Sequence, residues 1–439
     1  MHRPSYRWII LLFCTLAYGV SFLVRWSYTG LAPYISQDLG LDKAALGLLG
    51  GAFFYPYALA QIPWGWITDR FGGRYVIGAG ALLSAAGLLG FSTSDSLEES
   101  VVWRVFLGIT AATAFVPIAS MLSHWFGERE RGVVNGTYYG IGGGVGQGVA
   151  FLLMPLLSVY LLQDSSFLRS GWRGAIELVA VLVSLVGILC VGFLRSYPAS
   201  FKGVALRGNA AAGTDGTHAI SSGGAWTWTR DPVLWLLGGY FALSLVALRL
   251  VPAWMSLFAA DWFRLKEQYD INAAAIAGGT VGTLYVVGHV IGSPVLGKLS
   301  DWLMRWKLPR VFVPAISLGI AGGCVSTYLY AALSPWILGM VSFLLGIFLH
   351  AFPIMNAIVS ERWGVAMTGR YLGGMNMIGQ FVGAVVLSMS GFLGMAFGAD
   401  MAEDSLGEYR GIWYGVMGCG VLGMLCGGLA QYFMSRQPR

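Results

Sequence analysis

The sequence predicts an all-α integral membrane protein with 12 transmembrane helices in two six-helix pseudo-repeats. Three observations carry this. Of 439 residues, 56% are hydrophobic and only 11% charged, against roughly 25% charged in a soluble globular domain. Twelve apolar stretches are each long enough to cross a hydrocarbon core of about 30 Å as a helix. Matching residues also recur at matching places in the two halves of the chain. The composition excludes a disordered chain and a disulfide scaffold as well.

The stretches run over 8–35, 45–67, 75–92, 101–123, 133–160, 174–194, 233–258, 273–296, 311–333, 336–358, 371–397 and 411–433. The first follows Arg3 and Arg7, as a signal peptide would, but its length, the internal Arg25 and the lack of a small-residue cleavage site mark a retained span. The second ends in Gly65-Trp-Ile-Thr-Asp69, and the fourth, with Arg104 near its start, follows an acidic loop of Asp95, Glu98 and Glu99. In the fifth, the run Gly140 to Gly148 predicts close helix approach and bending. A phosphate loop is excluded there, because no strand precedes the run and no Gly-Lys-Ser/Thr follows. Glu177 is the one acid inside a span, and its place beside Arg173 predicts an interfacial ion pair.

Residues 195–230 are polar and rich in Gly, Ala, Ser and Thr, and read as a flexible cytoplasmic linker. They divide the chain into bundles 1–194 and 231–439. The repeat is visible in detail. Gly65 to Asp69 is matched by Gly297-Lys-Leu-Ser-Asp301, and Arg25 of span one by Arg249 of span seven. A third pair joins Pro117 with His124-Trp-Phe to Pro353 with Glu361-Arg-Trp. Two parallel repeats of this kind are a transporter architecture, with the solute site at the midplane between them.

Basic residues in short loops resist translocation. With the N-terminus inside, 18 of the 27 lysines and arginines fall on the cytoplasmic side. Both termini are therefore expected in the cytoplasm, with the chain in a bacterial inner membrane. The net charge of +6 suits an anionic leaflet, and nucleic acid is not an expected partner. The five cysteines fall in apolar stretches without a CxxC pair, which predicts inert packing. HExxH, GxSxG and paired CxxC patterns are absent, so no enzyme, metal site or cofactor is expected.

Arg25 and Arg249 each lie deep in a span, where an unpaired cation costs on the order of 3 kcal/mol or more. No acid at similar depth can neutralise them, so an anionic ligand is the expected counter-charge. Tyr28, one turn from Arg25, the pair Tyr57 and Gln61, His289, and the pair Asn376 and Gln380 are candidate lining residues. His289 and His350 are also candidate proton-coupling residues, since imidazole titrates near neutral pH. Asp69, Arg70, Arg74, Arg104 and Asp301 are candidate gating residues at span ends.

Gly65-Trp-Ile-Thr-Asp69-Arg70-Phe-Gly72-Gly-Arg74 resembles the loop signature GxxxDRxGxR of the major facilitator superfamily, as do Glu128-Arg-Glu-Arg131 and Arg104-xxx-Gly108. The resemblance implies alternating access by rocking of two halves, a loop that latches the outward-open state, and a monomer. Tyr18 to Tyr34, with Leu23-Val-Arg25 and Pro33-Tyr34, together with Asp231-Pro-Val-Leu-Trp and Arg249, is similar to the organophosphate:phosphate antiporters, whose paired arginines bind phosphate. The chain departs from them at Gln61 and Gly142, where they carry a lysine and a histidine. Asn135 to Pro155 resembles the fifth-span signature of nitrate/nitrite porters, but Gln61 and Ser293 stand where those have arginines. Gln61-Ile-Pro63-xx-Trp66 is shared with anion:cation symporters, whose acidic coupling residues are replaced here by Val24 and the Thr110 to Thr113 run.

The expected function is secondary active transport of a small anionic solute, an organic anion, phosphorylated compound or inorganic anion, by symport or antiport with protons or a counter-anion as partner. An exporter of drugs or amphipathic metabolites is one alternative, although the Gly-Pro signature of span five is missing. A non-transporting ligand sensor signalling through 195–230 is another.

Overall fold

A computed structural model describes residues 6–127, 130–161, 169–198, 231–330, 333–351, 353–398 and 405–436. Residues 199–230 of the expected linker, Glu128 and Arg129 of the loop motif, and the outer acids Asp400, Glu403 and Asp404 lie outside the described residues. Among the described residues every regular element is helical, and 12 helices are long and apolar enough to cross a membrane. They are α1 (Tyr6–Leu39), α2 (Lys43–Phe71), α3 (Gly73–Ser92), α4 (Leu97–Trp125), α5 (Val133–Val159), α6 (Gly171–Phe193), α7 (Pro232–Lys266), α8 (Ile271–Arg305), α9 (Phe312–Tyr330), α10 (Pro335–Trp363), α11 (Tyr371–Gly394) and α12 (Leu406–Arg436). The chain is a multi-pass membrane protein.

Helices form because hydrocarbon offers the backbone no other hydrogen-bond partner. Their starts are written in the sequence. The side chains of Asp42, Ser96, Asp231, Asp270 and Ser334 each accept a bond from a backbone N–H two or three residues on, fixing the first turns of α2, α4, α7, α8 and α10. Gly72, at φ +83°, turns the chain from α2 into α3. The helices α1, α7 and α8 run to 34, 35 and 35 residues, beyond the apolar stretches, because their polar ends continue as helix outside the hydrocarbon.

Two spans are interrupted at equivalent places, α4 by a turn at 112–114 and α10 around His350 and Pro353. In α5, Gly136–Gly142 widens into a π-helix that carries Tyr138 and Tyr139. The glycine run does bring α1 and α5 together. A Cβ at Gly146 would lie 2.0 Å from the Gly19 carbonyl oxygen, and one at Gly30 would lie 2.1 Å from that of Ala150. The repeat recurs in the packing: a Cβ added at Gly108 of α4 would lie 2.1 Å from the Phe53 carbonyl oxygen of α2, and one at Gly346 of α10 would lie 2.0 Å from the Tyr285 carbonyl oxygen of α8.

The two sets of six helices meet through α2 with α11, α5 with α8, and α1 with α7. The close approaches lie toward the end away from the termini: Gly47 and Gly51 against Ser388 and Gly391, and Gly279 and Gly282 against Phe151. Toward the end that carries the termini, Gly136 and Gly140 of α5, Gly297 of α8, and Gly373 and Gly374 of α11 have nothing within 4 Å of an added Cβ. The bundle is thus closed at one end and spread at the other.

Candidate solute-binding site

Arg25 on α1 is 4% exposed and Arg249 on α7 is 6% exposed. The guanidinium of Arg25 lies 4.5 Å from the ring centre of Phe22 and 4.4 Å from that of Tyr57, with Phe53 and Phe54 each at 5.8 Å. That of Arg249 lies 4.1 Å from the ring centre of Phe54. One phenyl ring of α2 is therefore shared by a cation from each half, and the guanidiniums are no farther apart than those two Phe54 distances added. They act on one another electrostatically, and Tyr18, Tyr57 and Tyr139 stand close enough to act on Arg249 as well.

Among the described residues, neither arginine is in an ion pair. Nε and Nη2 of Arg25 and Nε of Arg249 are buried without a hydrogen-bond partner. Aromatic faces attract cations through the ring quadrupole, but they accept no conventional hydrogen bond from the N–H edges. Arg249 Nη2 donates to Gln380 Oε1, and Gln380 Nε2 donates to Asn376 Oδ1 at 3.3 Å. The arrangement is a pair of cations with open donors and no protein anion, a geometry that accepts oxyanions.

The expected lining residues divide. Tyr57, Gln380 and Asn376 contact the arginines directly or through one bond, and Gln61 is half-buried one turn beyond Tyr57. Tyr28 instead donates to the Leu46 carbonyl at 2.6 Å and lies under the Arg104 guanidinium at 4.9 Å. Arg104 is buried, donates from Nε to the Leu49 carbonyl at 3.1 Å and covers Phe53. It ties α4 to α2 and adds a third buried cation close by. His289 and His350 stack on one another between α8 and α10.

At the open end, Asp69 and Arg70 are exposed, while Arg74 donates from Nε to the Val191 carbonyl at 2.6 Å. Asp301 pairs with Arg310, which also binds Glu361 Oε1 at 2.6 Å. Glu177 pairs with Arg169 at 3.5 Å rather than with Arg173. Arg173 is drawn off by Asp38 and Asp95, and by the Ser92 and Ser94 carbonyls at the ends of neighbouring helices.

Sequence reasoning passed over Phe54, Lys43 and Arg310. Phe54 is one of many aromatics, and nothing in the chain marks it as shared. Arg310 was signalled by the absence of a basic residue immediately after Asp301. Lys43 joins the halves at the closed end, pairing with Asp261 and Glu408, and its signal was the acidic character of the outer loops. No group of three or more His, Cys, Asp or Glu able to hold a metal ion occurs among the described residues.

Residues 14–387 match the model of the Major Facilitator Superfamily. A probable hexose phosphate transport protein of Chlamydia pneumoniae is 24% identical over 433 residues, covering 92% of this chain and 86% of that one. The membrane sensor protein UhpC of Escherichia coli K12 is 23% identical over 330 residues, covering 71% of this chain and 69% of that one. Among solved structures, a bacterial homolog of the human lysosomal transporter Spinster, inward-facing and occupied, superposes with a TM-score of 0.74 at 18% identity, covering 100% of this chain and 98% of that one. With a family model spanning most of its length and twelve membrane-crossing helices, the chain belongs to the Major Facilitator Superfamily, a family of membrane transporters and not of enzymes.

Proposed function

We propose that the protein is a secondary transporter of a small anionic solute whose charge is met by Arg25 and Arg249 at the interface of the halves 1–194 and 231–439. The observation that carries this is the pair of buried guanidiniums, one from each half, sharing Phe54 and lacking a carboxylate partner. An anion held there bonds both halves at once, so its arrival and departure change the free energy of rocking. With both termini in the cytoplasm of a bacterial inner membrane, the spread end faces inward and the structure is the inward-open form of a monomer. The linker 195–230 then serves as a cytoplasmic tether, and Asp69, Arg70, Arg74 and Asp301 form the inner latch that closes in the opposite state. The hexose phosphate relative supports an organic phosphate as one class of solute.

Ligand-induced thermal stabilisation tests this, using purified protein against phosphate, organophosphates, nitrate, mono- and dicarboxylates and neutral sugars, repeated on Arg25→Gln. Specific binding stabilises by mass action. One anion class should raise the melting temperature of the wild type and not of the variant. Stabilisation of both proteins by amphipathic neutral or cationic compounds alone would replace this reading with an exporter. A sensor is the second reading, favoured by the similarity to UhpC. Shortening 199–230 while keeping the chain continuous separates the two, since transport survives that change and signalling through the linker does not.

A further inference from the structure

The stacked imidazoles of α8 and α10 are not used by the anion site, and their geometry is specific. The rings of His289 and His350 lie with centroids 3.5 Å apart and planes 14° from parallel. His289 is 5% exposed and His350 is 7% exposed. His350 Nδ1 lies 2.9 Å from the Gly346 carbonyl, so that nitrogen carries the hydrogen and Nε2 holds the lone pair. His289 Nδ1 is buried without a partner. Face-to-face rings do not converge their nitrogens on one point, so this is no metal chelate.

The setting ties the stack to the moving parts. On α8, a Cβ added at Gly288 would lie 2.1 Å from the Phe343 carbonyl oxygen and one at Gly292 2.4 Å from the Ile347 Cα, so α8 and α10 are in close backbone approach on both sides of the rings. The next face of the same helix, Val286 and Val290, meets Gly144 and Gly148 of α5 in the other half. One turn before His289, Tyr285 presents its ring 5.6 Å from His350 and is acted on by Arg249 and Tyr139. His289 is also the repeat mate of Tyr57, just as Tyr285 is of Phe53, at the same offset that relates Gly65 to Gly297. The histidine therefore occupies in one half the place from which Tyr57 covers Arg25 in the other.

We propose that the His289–His350 stack is a one-proton binding site that couples the protonation state of the protein to the rocking of its halves. Two imidazolium rings in contact in an apolar site repel strongly, so the stack accepts one proton and not two. The titratable group that faces the stack is Tyr285 on α8, on which Arg249 of α7 and Tyr139 of α5 act in turn, and among the described residues no carboxylate acts on either imidazole. A proton arriving from water on one side adds to an imidazole nitrogen lone pair and leaves from the same nitrogen to water on the other, with no other bond changed. The neutral stack fits the arrangement seen here. A charged ring must gain water or part from its neighbour, which loosens α8 against α10 and disfavours the spread form.

Double electron–electron resonance on the full chain tests this without any solute. Nitroxides at Val133 and Trp302, exposed residues at the spread ends of α5 and α8, are placed in a background whose five cysteines are replaced. Lowering the pH from about 8 to about 4, through and below the range where a free imidazole titrates, should shift the population toward shorter distances by severalfold. Nitrogen-15 spectra of the histidines should show one added proton per stack over the same range. In His350→Gln, which keeps a donor for the Gly346 carbonyl, and in His289→Gln, the distance shift should vanish. A wild-type distribution that ignores pH would overturn the proposal, and so would an unchanged shift in both variants.

Discussion

Removing the Lys43 side chain should open the closed end of the molecule. Lys43 begins α2, its Nζ lies 3.7 Å from Asp261 Oδ2 and pairs with Glu408, and it sits 4.2 Å from the ring centre of Tyr409. The hydroxyl of Tyr409 donates to Asp261 at 2.6 Å, so one lysine ties three groups of the second half to the first. The backbones also touch here, since a Cβ at Gly391 would lie 1.8 Å from the Lys43 carbonyl oxygen. A charge-assisted bond contributes about 1.5–3 kcal/mol when buried. The Lys43 side chain is 11% exposed but that of Glu408 is 37% exposed, so solvent screening lowers the figure to about 1–2 kcal/mol. Lys43→Ala should then raise the ratio of outward-open to inward-open protein by about 5- to 30-fold. Spin labels at Gln37 and Tyr269, exposed at that end, read the ratio as a gain of long distances. Charge exchange, Lys43→Glu with Glu408→Lys, should restore most of the original distribution. An unchanged distribution in Lys43→Ala would show that backbone packing alone closes this end, and the reasoning would fail.

Three further outcomes follow from the packing and the charges. Gln380→Glu places a carboxylate where Arg249 Nη2 now meets an amide oxygen; the ion pair formed should raise the melting temperature of the empty protein and abolish its stabilisation by anions. Gly146→Ala should destabilise by about 1–3 kcal/mol, because the new methyl meets the Gly19 carbonyl. Gly140→Ala, in open space a turn and a half away, should be nearly silent in the same melting experiment. Arg310→Gln breaks exposed pairs with Asp301 and Glu361, so its loss should be under about 1 kcal/mol and should disappear in molar salt, where surface pairs are screened.

The helices were legible because membrane-crossing segments must be both long and apolar, and their capping residues stand immediately before them. The nearness of Arg25 and Arg249 was legible for a related reason: two deep cations at matching places in the two repeats, with no acid to neutralise either, are expected to face one central cavity. What escaped was the third dimension around each cation. Tyr28 shares a helix face with Arg25 in sequence, yet it reaches toward α2 and sits under Arg104. Helical spacing fixes which face a residue occupies, not which neighbouring helix that face meets. The His289–His350 stack escaped for the same reason, as did the choice of Arg169 over Arg173 by Glu177. Each depends on two helices far apart in the chain.

How the site tolerates two cations without a protein anion is answered by its rings, and Phe54 is the test. At the largest separation the shared ring allows, about 10 Å, and an effective dielectric constant of about 20, two unit charges repel by about 1.7 kcal/mol, and by more if they lie closer. Phe22 and Tyr57 on Arg25, and Phe54 on Arg249, each contribute roughly 0.5–2 kcal/mol of cation–π attraction, so the aromatic faces offset the repulsion. They do not satisfy the N–H edges that remain open on both arginines. Phe54→Leu removes the ring shared by the two guanidiniums while leaving both charges. The empty variant should unfold more easily, by about 1–2 kcal/mol. An anion that meets both arginines offsets a repulsion that the variant's missing ring no longer compensates, so its thermal stabilisation by that anion should exceed the wild-type value. A smaller stabilisation would mean that Phe54 shapes the bound anion's pocket rather than compensating for its absence.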